Sequence, residues 1–202
     1  LRKQDEKKEA RLRAAQAQLR KEYEQARIWR DVKTSKCVPV DLRKFVNMDF
    51  KDEVAGDRKG GWFDQGNNDF ADIPLGRRRF AGVPFEIIDP AGNGNKGVIV
   101  LYGTNRDYFP KEMRAIPVGR KAARLYFLHT MGWESDGRVL TYRIHYADGS
   151  RMEIPVLGKR DIGAWWGAEP IPNAKIAVEI SNGVKDLVNM QCFRWTNPHP
   201  EK

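Results

Sequence analysis

The segment Gly60-Gly61-Trp62-Phe63-Asp64-Gln65-Gly66-Asn67-Asn68-Asp69-Phe70 gathers two carboxylates, several amides and an indole into one glycine-rich loop. Two carboxylates on either side of a sugar would be the acid and base of a glycosidase. Asp and Asn in such loops more often accept backbone N–H bonds and hold the turn. Bracing therefore outweighs ligand bonding here, and ligand bonding outweighs catalysis. The three histidines do not form a constellation. His129 and His145 fall on different expected strands, and His199 lies between two prolines. None has the Cys, Ser or carboxylate spacing of a triad or a metal site. His129 is expected to be a buried, hydrogen-bonded residue. Gly92-Asn93-Gly94-Asn95-Lys96-Gly97 matches GxGxxG, but that fingerprint needs a strand before it and a helix after it. Gly97 leads instead into Val98-Ile99-Val100-Leu101, so a surface turn is expected. The DxDxDG calcium pattern is absent, and Cys37 and Cys192 form no CxxC pair. No metal, no cofactor and no catalytic nucleophile are expected.

The aromatic residues are more informative. Trp62, Tyr108, Trp133, Trp165 and Trp166 occur in Gly- or Pro-rich stretches outside the clearest strands. A flat indole or phenol at the rim of a rigid scaffold can stack on the apolar face of a sugar ring while nearby polar groups bond its hydroxyls. On this reading Trp62, Tyr108, Trp165 and Trp166 are the stacking candidates. Asp64, Gln65, Asn68 and Asp69 are the hydrogen-bonding ones. For any single tryptophan the competing reading is burial in the core. Trp165-Trp166 is the better pair, because neighbours on an extended chain point to opposite faces.

The elements that must position these loops are strands. Residues 3–31 contain no Gly or Pro and are rich in helix formers. Leu12, Ala15, Leu19, Tyr23 and Ala26 make a narrow seam along one face of the helix expected there. The pattern predicts a solvated helix, with a coiled coil or docking helix as the alternative, and Trp29 could anchor it. From Val38 the pattern changes to short alternating runs. Val83–Ile88, Val98–Tyr102, Arg124–Thr130, Val139–Tyr146, Arg151–Val156, Ile176–Ile180 and Leu187–Trp195 are expected strands. Tyr146-Ala147-Asp148-Gly149-Ser150 carries an Asp-Gly hairpin signal. Leu125-Tyr126-Phe127-Leu128 is apolar on both faces and is expected to lie centrally. Seven strands without α-crossovers predict an all-β fold, an antiparallel β-sandwich behind one long α-helix. The boundary falls between a basic helix and linker, residues 1–36, and a sandwich module, residues 37–202.

Charge and composition narrow the partners. The 202 residues carry a formal net charge of +9 and are 41% hydrophobic, enough apolar residue for a proper core. Residues 1–31 hold ten Lys/Arg against six Asp/Glu, so both signs mix along the segment. That resembles solvated surface more than a nucleic-acid stripe, and nucleic acid is not an expected partner. No stretch approaches the roughly 20 apolar residues of a membrane span.

Taken in order, the motifs resemble a known kind of module. Val40-Asp41-Leu42, Phe50-Lys51-Asp52-Glu53, Gly60-Gly61-Trp62-Phe63-Asp64-Gln65-Gly66, Asn68-Asp69, Gly82-Val83-Pro84-Phe85-Glu86-Ile87-Ile88-Asp89-Pro90 and Ile116-Pro117-Val118-Gly119-Arg120 come first. Leu125-Tyr126-Phe127-Leu128-His129-Thr130, His145-Tyr146-Ala147-Asp148-Gly149, Trp165-Trp166, Pro172-Asn173-Ala174-Lys175 and Trp195-Thr196-Asn197-Pro198-His199-Pro200 follow. Over about residues 38–200 the set resembles a galactose-binding-like jelly-roll module of the sort found beside bacterial glycoside hydrolases. The resemblance implies a secreted, periplasmic or cell-surface accessory module that binds a polysaccharide or glycan and catalyses nothing. The competing expectation is an assembly module that meets protein partners through the sandwich and the helix. Similar modules continue past the Asn-Pro-His-Pro stretch, so a larger parent protein is expected. Modules of this type also bring their two ends together. In an exported protein that implies a disulfide between Cys37 and Cys192, with two separate thiols as the alternative.

Overall fold

The computed structural model describes residues 2–167 and 169–202; Leu1 and Ala168 lie outside the described residues. One N-terminal helix precedes a β-rich body made of small antiparallel sheets. Helix α1 runs Arg2–Ala26, and residues 6–22 are exposed along its whole length, with Leu12 at 60% and Leu19 at 65%. Within this chain the helix packs against nothing along residues 6–22, which both the solvated and the docking readings allow. It stops five residues before Asp31 because the chain there begins to bond to the body. Arg27 donates from Nε to Ile176 O at 2.7 Å and pairs with Glu179, and Trp29 N–H donates to Ala81 O at 2.8 Å. Trp29 is the anchor: it packs against Ala81, Val83 and Cys192, with Arg194 and Lys175 over its ring at 4.1 and 4.7 Å.

Strands β1 (Gly76–Phe80) and β2 (Val83–Ile87) form a hairpin closed by the Phe80↔Val83 pair. Its two-residue loop, Ala81-Gly82, has φ of 51° and 82°, the double positive φ that a type I′ turn needs. Gly82 also lets the docked segment approach, since a Cβ there would stand 2.9 Å from Ile28 Cγ2. β1 is not among the expected strands: its sequence, Gly-Arg-Arg-Arg-Phe, has no apolar alternation.

Strands β3 (Arg124–His129), β6 (Ala174–Ile180) and β7 (Val188–Thr196) make a three-stranded sheet in the order β3-β7-β6. The expectation that Leu125–Leu128 lies centrally is corrected here, because β3 is an edge strand. Its two apolar faces arise from cover on both sides: Leu128 packs toward the tryptophan core, and Phe127 stacks on Tyr142 at 3.8 Å between ring centroids. The central strand is β7, buried from Val188 to Phe193. Strands β4 (Arg138–His145) and β5 (Arg151–Leu157) pair through the expected Asp-Gly turn, with Tyr146 N–H on Ser150 O at 2.9 Å and Gly149 at φ 83°.

Val98–Tyr102 is not a strand. It makes one bridge, Met48↔Val98. Beyond it the Asn47 side chain bonds both Val100 N–H and Val100 O at 2.8 Å, taking the place of a ladder partner. Gly92–Gly97 is a surface turn, in which Asn93 and Asn95 N–H both bond Pro90 O at 3.0 and 2.8 Å.

The disulfide expectation is also corrected: Cys37 and Cys192 are free thiols. Cys192 is fully buried on β7 as a small apolar residue against Ala81 and Val83, and burial pushes its thiol up to about 12. Cys37 sits at the end of a short 3-10 turn, Thr34–Lys36, with its thiol toward Lys33 O at 3.7 Å.

Candidate ligand-binding face

The loop holding Asp64 is built under strain. Phe63 and Asp64 both have φ of 54°, a left-handed conformation that side-chain-bearing residues avoid at a cost of about 1–3 kcal/mol each. Arg106 holds it there by donating from Nε to Phe63 O at 2.8 Å and from Nη2 to Asp64 O at 2.9 Å. The Asp64 carboxylate is 1% exposed and accepts Asp57 N–H, Arg58 N–H and the Tyr108 hydroxyl. Burial raises the Tyr108 hydroxyl far above the usual phenol range, and its bond to the Asp64 carboxylate adds to the rise. Asp69 accepts Asp52 N–H at 2.9 Å and Ala71 N–H at 3.0 Å, and Asp52 in turn accepts Gly66 N–H. Asp64 and Asp69 are thus braces. Gln65 and Asn68 join a chain of amides, Asn182 to Asn68 at 3.0 Å and Asn68 to Gln65 at 3.2 Å. The buried Gln65 Nε2 has no protein partner among the described residues.

The stacking candidates divide sharply. Trp62 and Trp165 are 2% and 0% exposed and centre a cluster with Phe63, Phe70 and Phe50. No sugar can reach them, and the stacking role expected of both is corrected: their rings fill the core beneath the loops. Tyr108 is half-buried and committed to Asp64. Trp166 is 41% exposed and Trp133 is 37% exposed. An unbroken series of ring contacts runs Trp133–Phe63–Trp165–Trp166, at 6.4, 5.8 and 5.7 Å between centroids. Its two ends are the exposed rings and its middle is core.

Backbone pairing joins the two segments that carry those ends. Residues 131 and 164 form a parallel bridge, with Met131 N–H on Gly163 O at 3.0 Å and Trp165 N–H on Met131 O at 3.1 Å. Trp133 and Trp166 each lie two residues beyond it. The 163–167 segment is fastened on its other side to β7. Gln191 accepts Gly163 N–H at 3.1 Å, and Asn189 Nδ2 donates to Ala164 O and Trp165 O at 3.3 and 3.2 Å. Asn189 and Gln191 are each 2% exposed. Each exposed ring has a cation above it, Arg106 at 5.1 Å from Trp133 and Lys185 at 5.1 Å from Trp166.

The Trp133 loop is positioned by Gly158, whose N–H donates to Gly137 O at 2.9 Å. A Cβ at Gly158 would fall 1.8 Å from Ser135 O. Gly158→Ala is therefore expected to displace the 131–137 loop and to cost about 1–3 kcal/mol of stability. A thermal melt of the variant against the parent checks this.

His129 is buried and bonded as expected, its ring nitrogens meeting Tyr142 OH at 2.9 Å and Asp161 O at 3.1 Å. No group of three or more His, Cys, Asp or Glu side chains among the described residues could hold a metal ion, and no described helix is long and apolar enough to cross a membrane. Comparison with protein-family models, curated proteins and solved structures gave no match.

Proposed function

We propose that this chain is a non-catalytic carbohydrate-binding module of an extracytoplasmic protein, and that it takes a glycan chain with Trp133 and Trp166 as its stacking rings. The finer architecture belongs to the same proposal, the small sheets being parts of one β-sandwich of the galactose-binding, jelly-roll type. The observation that carries the reading is the pair of exposed indoles fixed to one rigid aromatic core. An aromatic ring held in place loses little conformational freedom when a sugar stacks on it, which is what a weak, repetitive ligand requires. The engagement of Asp64 and Asp69 by backbone N–H groups supports a binding role over an acid–base one.

The test is affinity electrophoresis of the parent and a Trp133→Ala, Trp166→Ala double variant against a panel of neutral polysaccharides. Each lost stacking contact is expected to weaken binding by about tenfold, in line with ~1.4 kcal/mol per ring. Unchanged retention of a folded double variant contradicts the assignment.

A second reading, an assembly module, is favoured by the exposure of Leu12 and Leu19 on α1. It predicts a solution mass of more than one chain that falls to one when both leucines become serine.

A further inference from the structure

We infer that a second surface, a strip of arginines along β1, binds an acidic polysaccharide bearing carboxylate or sulfate groups. The inference does not depend on the tryptophan pair. Arg77, Arg78 and Arg79 are consecutive and all exposed. Alternation along the strand puts Arg77 and Arg79 on one face, about 7 Å apart. Each opens onto a groove. Arg79 shares an open groove of 470 Å³ with Arg27, Arg30 and Trp29, where the docked segment after α1 meets the β1–β2 hairpin. Arg77 shares a smaller one of 280 Å³ with Arg43 and Glu86.

The charge on this strip is only partly spent. Glu86 stands opposite Arg77 across the hairpin but turns to Arg43 at 3.7 Å, and Asp41 also bonds Arg43 at 3.0 Å. Arg27 is committed to Glu179. Among the described residues, Arg77 and Arg79 have no carboxylate at ion-pair distance, and Arg30 bonds only the neutral Gln25 side chain at 3.3 Å. Arg77 and Arg79 therefore present free planar donor forks along two concave surfaces, and Arg30 adds an uncompensated charge beside Arg79. That fork matches a carboxylate or sulfate with two parallel hydrogen bonds, which an ammonium cannot do. A polymer with one such anion per sugar or two would meet successive arginines. Single-stranded nucleic acid fits less well. It needs open aromatic platforms for its bases, and the aromatic ring of this groove, Trp29, is half-buried against Ala81, Val83 and Cys192.

The experiment measures binding of polygalacturonate, chondroitin sulfate, neutral dextran and a single-stranded oligonucleotide across a salt series. Three variants of the full chain accompany the parent: Arg77→Gln/Arg79→Gln, Trp133→Ala/Trp166→Ala, and a control, Arg11→Gln/Arg13→Gln, that removes the same charge from α1. The inference expects the parent to bind an acidic polysaccharide above dextran. It expects the β1 variant to lose about tenfold or more, with a shallower dependence on salt, while the other two variants keep their affinity. Equal losses in the β1 and α1 variants overturn it, because diffuse charge would then suffice. Loss in the tryptophan variant alone moves the acidic ligand to the other face and overturns it. Tighter binding of the oligonucleotide, or no binding of any polyanion, overturns it as well.

Discussion

Replacing Trp165 by alanine is expected to destabilise the protein by about 3–5 kcal/mol, the cost of emptying a buried aromatic site. The neighbouring Trp166→Ala change is expected to cost about 1 kcal/mol or less. The two residues are adjacent in sequence and identical in chemistry, so the difference isolates their positions. Trp165 is 0% exposed and touches Trp62, Phe63 and Phe70 at 5.8, 5.8 and 6.4 Å between centroids. Such a site relaxes only partly around the space left. Trp166 loses a partly exposed face and a cation contact worth about 0.5–1 kcal/mol. Against a typical total stability of about 5–15 kcal/mol, the first change removes much of the margin and the second does not. Urea unfolding with a common m-value measures both. Equal costs at the two positions would contradict the division into core and rim.

The second large effect is a loss of stability in mild acid, caused by His129. Burial lowers its ring from 6.5 to about 4, outweighing the opposing bond to Asp161 O and the Asp161 charge. The network fixes the tautomer: Asp161 O can only accept, so Nε2 carries the proton and Nδ1 accepts from the Tyr142 hydroxyl. Burial raises that hydroxyl far above the usual phenol range, so it remains a donor. Between pH 6.5 and 4 the unfolded chain binds a proton at this residue and the folded chain does not. Stability contributed by neutral His129 is therefore full above pH 6.5 and is lost as pH falls toward 4, by about 3 kcal/mol in all. Burial raises the Asp52 carboxyl, which contributes with the opposite sign, so the effect is read as a difference. His129→Gln is expected to be less stable at neutral pH and to show a flatter pH dependence in that window. An identical slope in parent and variant would remove His129 as the cause.

Much of the scaffold was legible in the residues themselves. β3 through β7 follow runs of alternating or apolar residues, and the Asp148-Gly149 turn has the chemistry its hairpin needs. Local pattern failed where a tertiary partner decided the outcome. Gly76–Phe80 becomes a strand because Val83–Ile87 offers a ladder and Ala81-Gly82 closes it, not because three arginines favour one. Val98–Tyr102 has the right composition, but the Asn47 side chain occupies the N–H and C=O of Val100 at its centre.

The candidate site shows the same division. Trp166 was recognisable from the opposed faces of Trp165-Trp166. The burial of Trp62 was not, since a Gly-rich loop tells nothing of whether it lies over an aromatic core. Trp133 stood among the informative aromatics, but its link through Phe63 to the Trp165-Trp166 core depends on the Met131↔Ala164 bridge, which joins segments far apart in the chain. Asn189 and Gln191 were missed altogether. Their alternation with Val188, Met190 and Cys192 marks a face for water in a half-buried strand, yet that face is covered by the 163–167 segment, whose backbone they bond. A polar i, i+2 pair in an otherwise apolar strand is the available signal for such a covering segment.

The most direct test of the central claim follows the six indole N–H resonances of the protein by NMR during titration with a polysaccharide that it retains. Carbohydrate binding across the exposed pair predicts that the Trp133 and Trp166 signals shift together and saturate at one ligand concentration, while those of Trp62 and Trp165 stay in place. Saturable shifts that spare Trp133 and Trp166, or no shift with any polysaccharide of the panel, would contradict it.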